Sequence, residues 1–231
     1  MRNKHSKMWQ MSFLSMAVAG AMGAAPAANA EVAASVSVAN MYLWRGFDLG
    51  NGDPAVSGDL TLSAGGFYGG VWASSGDATY GTEYDLFAGF NMELGAFEFD
   101  ISVWNYVYPS SPSEECDAND NCVPIDNVLD DFGGLSEVIL TVGVAGFSFS
   151  YYDNIAGGPG YEYYTLGYGY EAFSATMGMH DNEDDEALDT VHLDLSYAYN
   201  DNLSFTVSQQ VSDEVDDDLK FVVSYSLPLE M

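Results

Sequence analysis

Glu83, Tyr84, Asp85, Leu86, Phe87, Ala88, Gly89, Phe90, Asn91, Met92, Glu93, Leu94, Gly95, Ala96, Phe97, Glu98, Phe99, Asp100, Ile101, Ser102 and Val103 follow one another in the chain. Tyr84, Leu86, Ala88, Phe90 and Met92 alternate with Glu83, Asp85 and Asn91. Past Leu94 and Gly95, the residues Phe97, Phe99, Ile101 and Val103 alternate with Glu98, Asp100 and Ser102. A period of two is the mark of a strand with two unlike faces. Leu94 and Gly95 read as a tight turn between two such strands.

The same pattern recurs from Ser35 to the end of the chain, and no stretch carries helical periodicity. Strands are expected near Ser35 to Trp44, Pro54 to Ala64, Phe67 to Ser75, Thr82 to Glu93, Ala96 to Val107, Ser136 to Val144, Phe147 to Asp153, Tyr161 to Tyr170, Ala172 to His180, Leu188 to Tyr199, Leu203 to Ser212 and Leu219 to Leu227. The connections alternate in length. Gly65-Gly66, Leu94-Gly95, Ala145-Gly146, Glu171 and Asp201-Asn202 are tight, whereas the segments near Asp48, Asp77, Ser110 to Gly134, Ile155 to Gly160, Asp181 to Ala187 and Asp213 to Asp217 are longer. Alternation of this kind, with an even strand number, predicts an all-β fold: a closed antiparallel transmembrane barrel of about twelve strands with short periplasmic turns and long extracellular loops. Such a barrel turns apolar side chains outward and polar ones inward, the reverse of a water-soluble barrel. A soluble β-sandwich also alternates, but it accounts for neither the loop asymmetry nor the amino-terminal leader.

In that leader Arg2, Lys4 and Lys7 precede an apolar stretch from Met11 to Gly23 and the small-residue site Ala28, Asn29, Ala30. This is the layout of a secretory signal, so residues 1–30 are expected to be cleaved, leaving a barrel domain over 31–231. The apolar stretch is too short for a membrane-spanning helix, which needs roughly 20 apolar residues. Without the leader, Arg45 and Lys220 stand against 35 acidic residues, a formal charge of −33. That surface repels a phosphate backbone, which excludes nucleic acid as a partner. Disorder is excluded by the 48% hydrophobic and 14% aromatic content, because disordered chains lack the apolar residues to form a core. The expected location is therefore the outer membrane of a Gram-negative bacterium, with lipid, lipopolysaccharide and small polar solutes or cations as partners and an unassigned oligomeric state.

Aromatic residues gather near strand ends. Trp44, Trp72, Trp104, Tyr106, Tyr108, Tyr151 and Tyr152 lie toward the long loops, and Phe67, Phe97, Phe147, Phe173, Tyr199 and Phe205 near the tight turns. Both sets are expected to form interfacial belts.

Asn40, Met41, Tyr42, Leu43, Trp44, Arg45, Gly46 and Phe47, then Asn51, Gly52, Asp53, Pro54, Ala55 and Val56, then Gly66 to Ser74, resemble the start of the TorF family of outer-membrane porins. That family's physiological role is largely unassigned. The resemblance implies a barrel architecture more than any substrate. One departure is the end of the chain, Leu227, Pro228, Leu229, Glu230, Met231, where many such barrels close on an aromatic residue; Tyr225 is the nearest aromatic candidate for that signal.

Glu83, Asp85, Glu98, Asp100, Glu137 and Asp194 are expected to face the lumen, where confined carboxylates concentrate cations and disfavour anions. The alternative is solvated filler, partly paired with Arg45 and Lys220. Arg45 reads either as a clamp for a substrate carboxylate or phosphate or as the structural partner of lumenal acids, and Lys220 reads the same way. Cys116 and Cys122 fall in the longest loop and are expected to form a disulfide in an exported chain. Between them Asp117, Asn119 and Asn121 carry the first half of a calcium-loop spacing, with Asp120 and Asp126 nearby, but neither the glycine nor the closing glutamate is present. The other reading is a plain acidic loop, as it is for Asp181 to Glu186 and Asp213 to Asp218, where divalent ions bridging to lipopolysaccharide are the alternative. His180 and His192 are the catalytic candidates. His192 has Thr190 and Asp194 on its own face, an automatic consequence of strand period, so no enzyme is expected and His192 reads as a lumenal polar residue.

Overall fold

A computed structural model describes residues 30–111, 114–116, 122–124, 129–158, 160–183, 189–212 and 218–230. The leader, the calcium candidates Asp117, Asn119 and Asn121, and most of the two acid runs lie outside the described residues. Among the described residues sixteen strands run in chain order: β1 (Glu31–Ala39), β2 (Leu43–Trp44), β3 (Phe47–Asp48), β4 (Ala55–Ala64), β5 (Phe67–Asp77), β6 (Gly81–Leu94), β7 (Phe97–Val107), β8 (Glu114–Cys116), β9 (Cys122–Pro124), β10 (Leu135–Val144), β11 (Phe147–Ala156), β12 (Tyr161–Tyr170), β13 (Phe173–Asn182), β14 (Val191–Ala198), β15 (Leu203–Gln210) and β16 (Lys220–Pro228). Twelve of them, all but β2, β3, β8 and β9, close into one antiparallel barrel. Each barrel strand pairs with its neighbours in sequence, and β1 pairs with β4 on one side and β16 on the other. Closure leaves none of these twelve strands with an unpaired edge, which is the condition for placing backbone amides against lipid.

The tight turns are set by local chemistry. Gly65 and Gly66, and Ala145 and Gly146, have positive φ at both turn residues, the twist that a two-residue hairpin needs to match its strands. Outward positions carry Val36, Leu62, Leu86, Ile101, Leu140, Leu166, Leu195 and Phe221, all exposed, while Glu83, Asp85, Glu137, His192, Asp194 and Ser208 are buried on the other face. The apolar side is the outside, as a barrel in lipid requires.

At the tight-turn end the expected aromatic belt forms. Phe67, Phe97, Phe147, Phe173 and Tyr199 are exposed, and outward rings meet across strands: Phe67 with Phe90 at 4.7 Å, Phe147 with Tyr168 at 4.5 Å and Phe173 with Tyr197 at 4.9 Å between centroids. Such pairs each contribute about 0.5–1.5 kcal/mol beyond their burial. The long-loop end is different and corrects the sequence reading. Trp72, Trp104, Tyr106, Tyr108 and Tyr152 are not interfacial. They turn inward and pack with Phe87, Ile139 and Tyr163 into one cluster, because Trp72, Trp104 and Tyr106 share strand parity with Asp85, Asp100 and Ser102 and the tyrosine hydroxyls find carboxylates there.

A second correction concerns the first expected strand, which does not run on to Trp44. β1 ends at Ala39, where the Asn40 side-chain amide donates to Phe221 O at 3.0 Å and its carbonyl oxygen accepts from Val223 N at 2.6 Å. These bonds tie the chain to β16 and end the wall strand there. Beyond Asn40 the chain leaves the wall and enters the lumen.

Candidate functional site

The segment from Met41 to Asp53 is a compact hairpin inside the barrel. β2 and β3 pair Leu43 with Asp48 and Trp44 with Phe47, and the turn between them is Arg45 (φ 47°) and Gly46 (φ 85°). Two consecutive left-handed residues are the two-residue hairpin signature. The Asp48 carboxylate accepts from Gly50 N at 3.0 Å and Gly52 N at 2.7 Å, and Leu49 N donates to Tyr42 O at 2.8 Å, so the hairpin is stiffened by its own bonds.

The wall forms a socket around it. Arg45 Nη1 and Nη2 donate to Glu137 Oε1 and Oε2 at 2.9 and 2.6 Å, and Nη1 also reaches Tyr161 Oη at 3.1 Å. Its guanidinium carbon lies 4.6, 4.6 and 4.5 Å from the ring centres of Trp44, Tyr152 and Tyr163. Tyr106 Oη donates to Glu137 Oε2 at 2.7 Å. Burial works to lower the pKa of Arg45, but the Glu137 carboxylate more than reverses this and holds it well above its ordinary value. On the other side of the turn, a side chain at Gly46 would strike His192 and Gln210. His180 Nε2 donates to the Arg45 carbonyl oxygen at 2.8 Å, and Phe47 meets the His180 ring edge-on at 5.2 Å. Leu43 packs with Ala39 and Val222. Tyr42 donates to Glu83. The hairpin thus touches β1, β6, β10 to β16, and crosses the lumen.

The carboxylates singled out from the sequence share the inward face, but they are not an open ring. Glu83 is capped by Tyr42 and by Tyr108 Oη at 2.6 Å. Burial and then the Glu83 charge raise both phenol pKa values above the ordinary tyrosine range. Asp100 accepts from Tyr68 at 2.8 and 2.9 Å. Asp194 Oδ1 lies 3.1 Å from His192 Nδ1, and His192 Nε2 lies 2.7 Å from Tyr163 Oη. Glu98 is on the same face and exposed. Asp85, between Trp72 and Tyr106 in register, is fully buried, and among the described residues no donor stands within hydrogen-bond geometry of either of its oxygens. Lys220 lies opposite Ser208 and donates to Asp218 O at 3.2 Å. Cys116 and Cys122 stand opposite each other in the β8–β9 hairpin.

Both imidazoles are held by structural partners: His180 Nδ1 lies 2.8 Å from Tyr161 Oη, and no serine hydroxyl is bonded to either ring among the described residues. Among those residues no group of three or more His, Cys, Asp or Glu is disposed to hold a metal ion. A cavity of about 220 Å³ opens beside the hairpin, lined by Trp44, Glu83, Tyr106, Tyr108, Leu135, Glu137, Asn154 and Tyr161. Sequence reasoning missed the tyrosine half of this site. The available signal was parity, since Trp104, Tyr106, Tyr161 and Tyr163 all occupy inward positions of their strands.

A closed barrel with an apolar exterior, a polar interior and an inward-folded loop is the architecture of a membrane β-barrel. The chain belongs to the family described as "Bacterial protein of unknown function (Gcw_chp)", whose model matches residues 23–180. No curated protein sequence matches it. Among solved structures it is similar to a chain from a study of in-meso crystallization of membrane proteins, at 12% identity and TM-score 0.50, covering 85% of this chain and 83% of that one. KdgM porin shares 8% identity over 87% and 99% of the two chains at TM-score 0.45. Outer membrane phospholipase A from Escherichia coli shares 11% identity over 86% and 90% at TM-score 0.42. At these identities the likeness concerns the fold alone.

Proposed function

We propose that the chain is an outer-membrane porin of a Gram-negative bacterium, exported by the leader over residues 1–30, that passes small polar solutes by diffusion and favours cations. The observation that carries this reading is the inward face itself. Glu83, Asp85, Glu98, Asp100, Glu137 and Asp194 are arrayed there with Arg45 and Lys220 as the cations, and a confined acidic lumen raises the local cation concentration. The TorF resemblance, sharpest between about Asn40 and Ser75, supports the barrel architecture of this reading more than any solute.

The hairpin that crosses the lumen favours a second reading, a non-conducting barrel whose acidic external loops bind divalent metal, lipopolysaccharide or a protein. Calcium at Asp117, Asn119 and Asn121 belongs to that reading. Single-channel conductance of the refolded chain in a planar bilayer, under a salt gradient, separates the two. Steady current with a cation-selective reversal potential is expected, and its loss of selectivity on neutralising Glu98 and Asp100 ties it to the lumen. A folded barrel that passes no current overturns the porin reading.

A further inference from the structure

We infer that Glu137, Tyr152, Tyr161 and Tyr163 of the barrel wall form a receptor for a guanidinium group, occupied by Arg45 as a tethered ligand and available to a guanidinium-bearing solute when the hairpin withdraws. Four features of the wall match that group. The Glu137 carboxylate meets the guanidinium as a fork, with contacts of 2.9 and 2.6 Å, a two-point geometry that a planar guanidinium satisfies and a compact ammonium does not. Tyr161 Oη takes a third contact at 3.1 Å. The rings of Tyr152 and Tyr163 stand 4.6 and 4.5 Å from the guanidinium carbon, the range in which a desolvated cation gains from an aromatic face. Tyr106 fixes the carboxylate from behind at 2.7 Å.

All of these groups belong to β7, β10, β11 and β12, none to the hairpin, so the receptor stays on the wall when the hairpin leaves it. The cavity of about 220 Å³ beside the hairpin is lined by Glu137, Tyr106 and Tyr161 themselves. It therefore supplies a route to the same carboxylate, and Glu83, also in its lining, adds a second negative charge along that route. The inference rests on the barrel reading only for access through the external mouth.

The test is calorimetric titration of the wild-type chain and of Arg45→Ala, both refolded in detergent micelles, with methylguanidinium and with methylammonium as the matched cation. Arg45→Ala is expected to bind methylguanidinium saturably, about ten-fold or more tightly than wild type, because a tethered arginine competes at an effective concentration in the millimolar range. Methylammonium is expected to give no saturable heat, and Glu137→Gln in the Arg45→Ala background to abolish the binding. Equal response to both cations, or binding that survives Glu137→Gln, overturns the receptor. Should Arg45→Ala fold poorly alone, refolding yield is the readout: rescue by methylguanidinium but not methylammonium supports the site, and no rescue overturns it. A barrel that carries no current yet binds in this way would defeat the porin reading and leave the receptor standing.

Discussion

Arg45 Nη2 stands 2.6 Å from Glu137 Oε2, between residues 92 positions apart in the chain. Both side chains are almost wholly buried, so each is the other's compensation. Glu137→Gln leaves the guanidinium buried without its counter-charge, and a loss of about 3–5 kcal/mol is expected. Replacing both partners with apolar residues is expected to cost less than the single change. Urea unfolding followed by tryptophan fluorescence measures both; a single substitution as mild as the double one would remove the pair from its assigned place.

Gly178 faces His192 and the Tyr163 hydroxyl so closely that a methyl group there would collide with both. Gly178→Ala is expected to push the imidazole off Tyr163 and destabilise the barrel by about 1–3 kcal/mol. The same unfolding assay reads it, and an unchanged midpoint would show that the His192 ring has room to move.

Tyr42 and Tyr108 both donate to Glu83 from outside the barrel strands, and burial, with the Glu83 charge, raises both pKa values in the folded chain. A raised folded pKa gives stability that is whole below the unfolded value of about 10 and is lost as pH climbs toward the folded one. Stability is therefore expected to fall steadily above about pH 10. The slope should flatten in Tyr42→Phe and Tyr108→Phe; an identical slope in both variants would assign the loss to other groups.

Cys116 and Cys122 are direct partners across β8 and β9. Antiparallel partners have Cα atoms about 4.5 or 5.5 Å apart, within the roughly 4.4–6.8 Å that a disulfide spans. A peptide covering both residues is expected to be lighter by two hydrogens under non-reducing conditions than after reduction. Equal masses would show two thiols.

Replacing Leu43–Asp48 with a Gly-Ser segment of equal length removes the crossing of the lumen. Conductance is expected to rise several-fold, since the narrowest part of a pore governs its current. Current unchanged by the replacement would place the limiting constriction in the aromatic cluster around Phe87 and Trp104 instead.

The barrel was legible because a strand repeats every two residues: Glu83 to Val103 states two faces and a turn without help from the rest of the chain. Loop alternation did the same for topology. The hairpin was not legible, because Glu137, His180, His192 and Gln210, which receive it, lie from 92 residues onward and no local pattern links them to Arg45. For the aromatic residues, position along a strand predicted a belt at both ends. Parity decides the matter, and it sends Trp104, Tyr106 and Tyr152 inside while leaving Phe67 and Phe147 outside.

Leu43 is packed against Ala39 of the first strand and Val222 of the last, so the hairpin rests on the seam where β1 and β16 meet. The closing seam and the seat of the hairpin therefore share contacts. A cylinder sealed without it would enclose Glu137 with no counter-charge and face Leu43 with water. The interior is therefore a strut for the closure: Leu43 adds side-chain packing to the β1–β16 pairing, and a shell without the hairpin would have its seam held by strand pairing alone.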